Sequence, residues 1–247
     1  MLRAAHFSNL GRAENIAQYL ELVLEKRQVA ENEWIFRGQR DGREFPTPKI
    51  DRPAFRAYRE HMNWTREKHE DRLLTDFKKG ALPHIQVAPA SIWEWLAVAQ
   101  HHGLATRLLD WTANPLAALF FVVERPESSV DGVVWCYHHA GNSWMHPDNK
   151  EHPFKLKAIT SFWPPHVSPR ITVQGGCFTA HPEIPKVQEV MWPGDLWRID
   201  IAREARSNLR SDLLKLGVNR AALFPDLDGI AITHNRRLSS ESARPVG

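Results

Sequence analysis

The sequence predicts an α+β fold, a single domain with a central mixed or antiparallel sheet flanked by helices. Some segments repeat apolar residues at helical spacing, as Ile16, Tyr19, Leu20, Val23 and Leu24 do within Asn15–Lys26. Others are short apolar runs: Trp34–Phe36, Gly132–Tyr137 and Leu196–Ile201. The order is helix, strand, helices, then strands with a late helix, which is not the regular alternation that builds a parallel sheet. The 247 residues are 43% hydrophobic and 25% charged, enough for one sizeable core, and no repeat or low-complexity block divides them. Residues 1–247 are therefore read as one domain.

Trp34-Ile35-Phe36 reads as a buried strand ending in Arg37-Gly38-Gln39, and a loop rich in Pro, Gly and charge follows to Pro53. Phe55–Lys79 has the pattern of one long charged helix, ended by Gly80 and Pro83. Ser91 with Glu94 three residues on is a capping box for Ile92–His101, which stops at Gly103. Asn114-Pro115 opens the next helix, with proline where its missing N–H costs nothing. Residues 138–169 show no period and read as a long loop or insertion. Strands at Arg170–Val173 and Cys177–Thr179 flank Gly175-Gly176, a bulge or tight turn. Ala205–Leu216 is a helix ended by Gly217.

Composition excludes several classes. Cys136 and Cys177 make neither a disulfide framework nor a zinc knuckle. The first twenty residues lack an apolar signal core. The longest apolar run, Pro115–Val123, falls short of the ~20 residues that span a bilayer. A cytoplasmic protein without membrane contact is expected. A net charge of +3 does not by itself argue for nucleic acid. Between Trp34 and Gly80, however, 12 Lys/Arg stand against 8 Asp/Glu. That surplus is either a solvated basic surface or an attraction for an anionic ligand, a phosphate-bearing cofactor or RNA.

The polar residues open to a chemical role are few. His101 and His102 are helix neighbours pointing about 100° apart, so they cap carbonyls or one of them meets a ligand; a shared metal fits poorly. Arg107 and Asp110 form a local ion pair, or Asp110 orients a substrate group and Arg107 faces a phosphate. Trp111 could stack on a flat ring, and Thr112 could cap the following helix. Arg37 closes an apolar strand, where a guanidinium is either paired with an acid such as Asp110 or Asp228 or grips a phosphate or carboxylate. Gly38 beside it would let a ligand approach the backbone. Gln174 at a strand end is aimed into a cleft or belongs to a bulge. Asp226 and Asp228 are an acid pair or part of an Asp-Gly turn. No nucleophile elbow, P-loop or dinucleotide fingerprint is present.

Together these stretches resemble the FRG domain family, named for its Phe-Arg-Gly motif, here Phe36-Arg37-Gly38. The resemblance extends through QHHGLATRLLDWTANPLAALFF (Gln100–Phe121), QGGCFT (Gln174–Thr179) and ALFPDLDGIA near the C-terminus, a motif core of about 34–230. Ala105 stands where the family usually has Pro. The family's members look like bacterial and phage-associated intracellular modules, some in defence or toxin–antitoxin settings.

Motif order also resembles the ADP-ribosyltransferase plan: an early strand with an Arg that holds NAD, a Ser/Thr segment leading into a helix, and a late strand with Glu or Gln at the reactive centre. That resemblance implies an ADP-ribosyltransferase-like fold. It further implies an NAD-using enzyme that modifies a macromolecule, protein or nucleic acid; with the FRG resemblance, an intracellular bacterial effector or toxin in phage defence is the expectation. An antitoxin or regulatory partner would accompany it. The catalytic set implied is Arg37, His102, Asp110 and Gln174. NAD would meet Arg37, Gly38, Thr106, Arg107, Trp111, Thr112 and Phe178, and no metal is expected. A catalytic acid could also be Glu183, Glu189 or Asp228. The rival readings are a metal-dependent nuclease or hydrolase using His101 or His102 with Asp110, Asp226 and Asp228, and a non-enzymatic module that binds a nucleotide or a protein.

Overall fold

The computed structural model of the chain describes residues 7–27, 34–125, 129–138, 151–164, 173–183 and 192–241. Among these residues, seven strands form one mixed sheet: β1 (Phe7–Ala13), β2 (Trp34–Gln39), β3 (Leu108–Thr112), β4 (Gly132–His138), β5 (Thr160–Phe162), β6 (Gly176–Ala180) and β7 (Asp195–Ile201). Their order is β1-β7-β4-β2-β3-β6-β5. The β1–β7 pair is parallel and every other pair is antiparallel. The helices are α1 (Ile16–Arg27), α2 (Pro53–His61), α3 (Arg66–Ala81), α4 (Ile92–His101), α5 (Pro115–Val123), α6 (Arg206–Lys215), α7 (Arg220–Leu223) and α8 (Leu227–Glu241). The α+β class with a mixed sheet flanked by helices is as the sequence predicts. Among the described residues, no helix is long and apolar enough to cross a membrane.

Strand alternation divides the core. Trp34, Phe36, Val134, Cys136, Ile199 and Ile201 pack under α5, with α1 and α6 beside it. On the same face, Leu108, Phe162, Phe178 and Ala180 pack under α4 and α3. The opposite face gathers Ile35, Leu109, Trp111, Val133, Trp135, Tyr137 and Cys177, covered by Phe45 and Trp192. Each large side chain fully buried in these layers contributes about 1.5–3 kcal/mol of transfer free energy.

Local signals set the element ends. Ser91 Oγ accepts from Glu94 N at 3.2 Å, the N-cap half of the box expected, while the Glu94 carboxylate accepts from Ala90 N at 2.9 Å, one residue before the cap. Asn114 Oδ1 caps α5 at Leu116 N, 2.9 Å, ahead of Pro115. Gly103 and Gly217 sit at φ +84° and +80° after α4 and α6, a conformation that costs side-chain-bearing residues 1 kcal/mol or so.

Several expectations need correction. The single helix over Phe55–Lys79 is two, because Asn63 turns at φ +51° and Thr65 caps a new helix by accepting from Lys68 N. Between Gly103 and Asn114, where the sequence predicts no element, lies β3, a strand buried on both faces except at Asp110. β1 is an edge strand without apolar alternation, and the predicted long loop 138–169 holds β5 and a 3₁₀ turn at Pro153–Lys155. Val173, the end of the strand predicted at Arg170–Val173, is in a helical turn; residues 170–172 lie outside the described residues. Leu227–Glu241 is helical, so Asp228 lies in the first turn of α8 and not in an Asp-Gly turn.

Candidate functional site

The sheet opens at its centre. β2 registers with β4 along its whole length, Trp34↔His138 to Gln39↔Val133, and β3 registers with β6 from Leu108 to Thr112. Between β2 and β3 one registered pair remains, Phe36↔Thr112. Beyond it the strands part, and the Arg37 side chain replaces the missing ladder: its Nη1 donates to the Asp110 carbonyl at 2.7 Å. The Asp110 carboxylate lies 3.7 Å from the same nitrogen. Burial pushes the Arg37 guanidinium below its ordinary value, with nearby Arg52 adding to the shift and Asp110 opposing it.

This opening is the floor of a cleft of about 830 Å³, within the range of small-molecule sites. Its walls come from the Arg40–Glu44 loop, Arg52, the end of α4 at Gln100 and His101, the end of α5 at Glu124 and Arg125, and Gln174. The charges in it are not balanced. Asp41 is taken by Arg43 at 2.6 Å and Glu124 by Arg220, which stands outside the cleft. Arg40, Arg52 and Arg125 are exposed and make no ion pair among the described residues. Against them stand Glu44 and the Asp110 carboxylate, itself 56% exposed. The surplus is cationic and converges on Arg37, a fork suited to phosphate.

Asp110 is held from a second side. Gln100 Nε2 donates to Asp110 Oδ2 at 2.8 Å, and Gln100 Oε1 accepts from Thr106 Oγ1 at 2.6 Å. Gln174 reaches the cleft on the turn before β6, where Gly175 adopts φ +56°. Its Nε2 donates to the Leu223 carbonyl at 2.8 Å, and its own carbonyl accepts from the Thr112 hydroxyl. Phe121 against Phe224, with centroids 6.0 Å apart, closes the same edge.

Of the residues expected to act, Arg37, Gly38, Asp110, Trp111, Thr112, Gln174 and Phe178 border this cleft. Three do not. His102 is exposed at the end of α4, and its neighbour His101 is the one that faces the cleft. Thr106 is buried under Gln100. Arg107 points away from Asp110 into an enclosed network: it forms a two-pronged pair with Glu70 and donates to the Pro153 carbonyl at 2.6 Å. The local Arg107–Asp110 pair is therefore not formed, since positions three apart on extended chain face opposite ways.

Other borders of the cleft do structural tasks. Trp111 and Phe178 are each 3% exposed, Trp111 donating to Thr179 Oγ1 and Phe178 packed on Phe162, so neither offers an open ring face. A Cβ at Gly38 would stand 2.0 Å from the Ala118 carbonyl. The missing side chain there admits helix α5, not a ligand. Asp226 Oδ1 accepts from Gly229 N at 2.6 Å as the cap of α8. Neither Asp226 nor Asp228 lines the cleft, and no group of three His, Cys, Asp or Glu among the described residues could hold a metal. Glu183 also lies off the cleft, and Glu189 is outside the described residues. Sequence reasoning gave no role to Gln100, Arg40, Arg52 and Arg125. Only the basic surplus of 34–80 pointed towards two of them.

No curated protein and no solved structure matches the chain. The family comparison does: residues 32–131, which carry Arg37, Gln100 and Asp110 but end before Gln174, match the FRG domain model, and this segment of the chain is an FRG domain.

Proposed function

We propose that the cleft binds NAD and that the protein is an ADP-ribosyltransferase-like enzyme, transferring ADP-ribose to a macromolecule. One observation carries the reading. Arg37 on β2, the Asp110–Thr112 stretch of β3 and Gln174 before β6 line one cleft, in the chain order of the ADP-ribosyltransferase plan, and its cations outnumber its acids. Arg37, with Arg40, Arg52 and Arg125 around it, matches a diphosphate of two negative charges. In the transfer, the bond from ribose C1′ to the nicotinamide nitrogen breaks and its electron pair leaves with nicotinamide. A nucleophile of the acceptor bonds to C1′ and gives up its proton. Asp110, exposed and gripped through both carbonyl and carboxylate, is the group to take that proton. Gln174 steadies the edge of the site, its amide tied to Leu223.

The remainder of the reading, a bacterial effector or toxin with a regulatory partner and a place in phage defence, rests on what FRG members look like. The test is calorimetric titration with NAD, followed by nicotinamide release in the presence of cell extract. Binding with release supports an enzyme. Binding without release in any extract leaves a nucleotide-binding module. No binding at millimolar NAD removes the reading.

A further inference from the structure

We infer that Gln100 and Thr106 are positioning residues that fix the Asp110 carboxylate, an inference that rests on Asp110 acting in the cleft. Thr106 Oγ1 accepts from Leu108 N at 3.1 Å and lies 2.6 Å from Gln100 Oε1. A hydroxyl has one proton to give. The Leu108 N–H occupies one of its lone pairs, and the proton is given to the Gln100 oxygen. The other end of the amide then presents its NH₂, 2.8 Å from Asp110 Oδ2. The reversed amide would set oxygen against a carboxylate oxygen. The acceptor-only carboxylate therefore selects the orientation, and the Thr106 hydroxyl completes it, in a chain from the Leu108 backbone through Thr106 and Gln100 to Asp110.

Burial strengthens the selection. Thr106 is 1% exposed, so its hydroxyl has no water to turn to, whereas Asp110 stands in the open cleft. Arg37 holds the Asp110 backbone from the other side. An otherwise mobile carboxylate is thus held at both its peptide and its side chain, on strand β3 and not on a loop. Catalysis depends on such placement, because a base displaced by an ångström or so loses much of its effect. The spacing Gln100, Thr106, Asp110 then has a reason: an amide at the end of α4, a hydroxyl in the connection and an acid on the strand it orients.

The experiment compares wild type with Thr106→Val, Thr106→Ser and Gln100→Leu, each confirmed folded by its melting curve. For nicotinamide release, Thr106→Val and Gln100→Leu are expected to lower kcat about tenfold or more, or ~1.4 kcal/mol. KM for NAD stays within about twofold, and Thr106→Ser recovers most of kcat. Unchanged kcat in folded Thr106→Val, or Thr106→Ser as impaired as Thr106→Val, overturns the inference.

A second readout does not need turnover. The Gln100 side-chain amide, observed by ¹⁵N NMR, is expected to exchange slowly with solvent and to lose that protection in Asp110→Ala and in Thr106→Val. Protection that behaves this way in a protein with no NAD activity leaves the positioning intact and sinks the enzyme reading. Solvent-rate exchange in wild type sinks the positioning, whatever the activity.

Discussion

Two clusters of arginine and acid flank strand β3, and they are built in opposite ways. On one side Arg66 and Arg107, each 1% exposed, and the partly buried Arg59 face Asp51 and Glu70 in a closed interior, every charge with a partner of opposite sign. On the other, the exposed Arg40, Arg52 and Arg125 and the largely buried Arg37 line an open cleft with acids in deficit. A buried charge must be paired, because leaving water costs several kcal/mol per ion. The first cluster obeys that rule, and it fastens α3 to the sheet. The second departs from it only where a ligand of opposite charge could complete the pairing. The difference separates arginines that hold the fold from arginines that wait on a partner.

The largest effect should come from breaking the closed cluster. Glu70→Ala or Arg107→Ala strands a buried charge and is expected to cost about 3–5 kcal/mol, read by urea denaturation. Replacing both at once, Glu70→Leu with Arg107→Met, should recover much of that loss. If either single change costs under ~1 kcal/mol, the network is not the fastening described here. Next in size is a pH effect at its border. His181 is buried, and burial together with Arg66, Arg37 and Arg107 lowers its pKa from 6.5 to about 3. Folded His181 stays neutral while the unfolded chain takes up a proton. Stability is therefore full above pH 6.5 and falls as pH drops from there towards 3, by up to ~1.4 kcal/mol per pH unit. His181→Gln should flatten that slope by up to one proton; an unaltered slope would clear His181 of the role.

Gly38→Ala gives a smaller loss, expected at about 1–3 kcal/mol, as α5 is pushed from β2 by the new methyl against Ala118. It sharpens the contrast, because a glycine beside Arg37 reads in sequence as room for a ligand and is in fact room for a helix. An alanine variant as stable as wild type, with weakened ligand binding, would restore the first reading.

How far each cluster was legible follows from the same geometry. Caps and turns depend on neighbours in sequence, so Ser91, Asn114, Gly103 and Gly217 were readable. β3 was not, because a strand buried on both faces has no alternation to detect. Without a strand at β3, Arg107 and Asp110 look like a local pair, although the true partner of Arg107, Glu70, is 37 residues away. Arg37 could be read as either paired or ligand-binding. The structure gives it the Asp110 carbonyl as a firm partner and the carboxylate only at 3.7 Å. Gln174 was legible as a residue aimed at a cleft, but nothing local revealed that Leu223 holds it.

The smallest effect on stability and the largest on binding should fall on one substitution, Arg37→Ala. Its guanidinium makes one strong hydrogen bond and bears a burial penalty that already lowers its pKa. Removing it loses the first and relieves the second, so denaturation should shift by no more than about 1 kcal/mol. On the proposed reading, NAD affinity should fall at least ~tenfold, since the charge-assisted contact proposed to phosphate would be lost. Arg37→Lys keeps the charge without the fork and should fall between the two. A destabilisation as large as that of Arg107→Ala would instead place Arg37 with the fastening arginines. The distinction between the two sides of β3 would then fail at the residue on which it most depends.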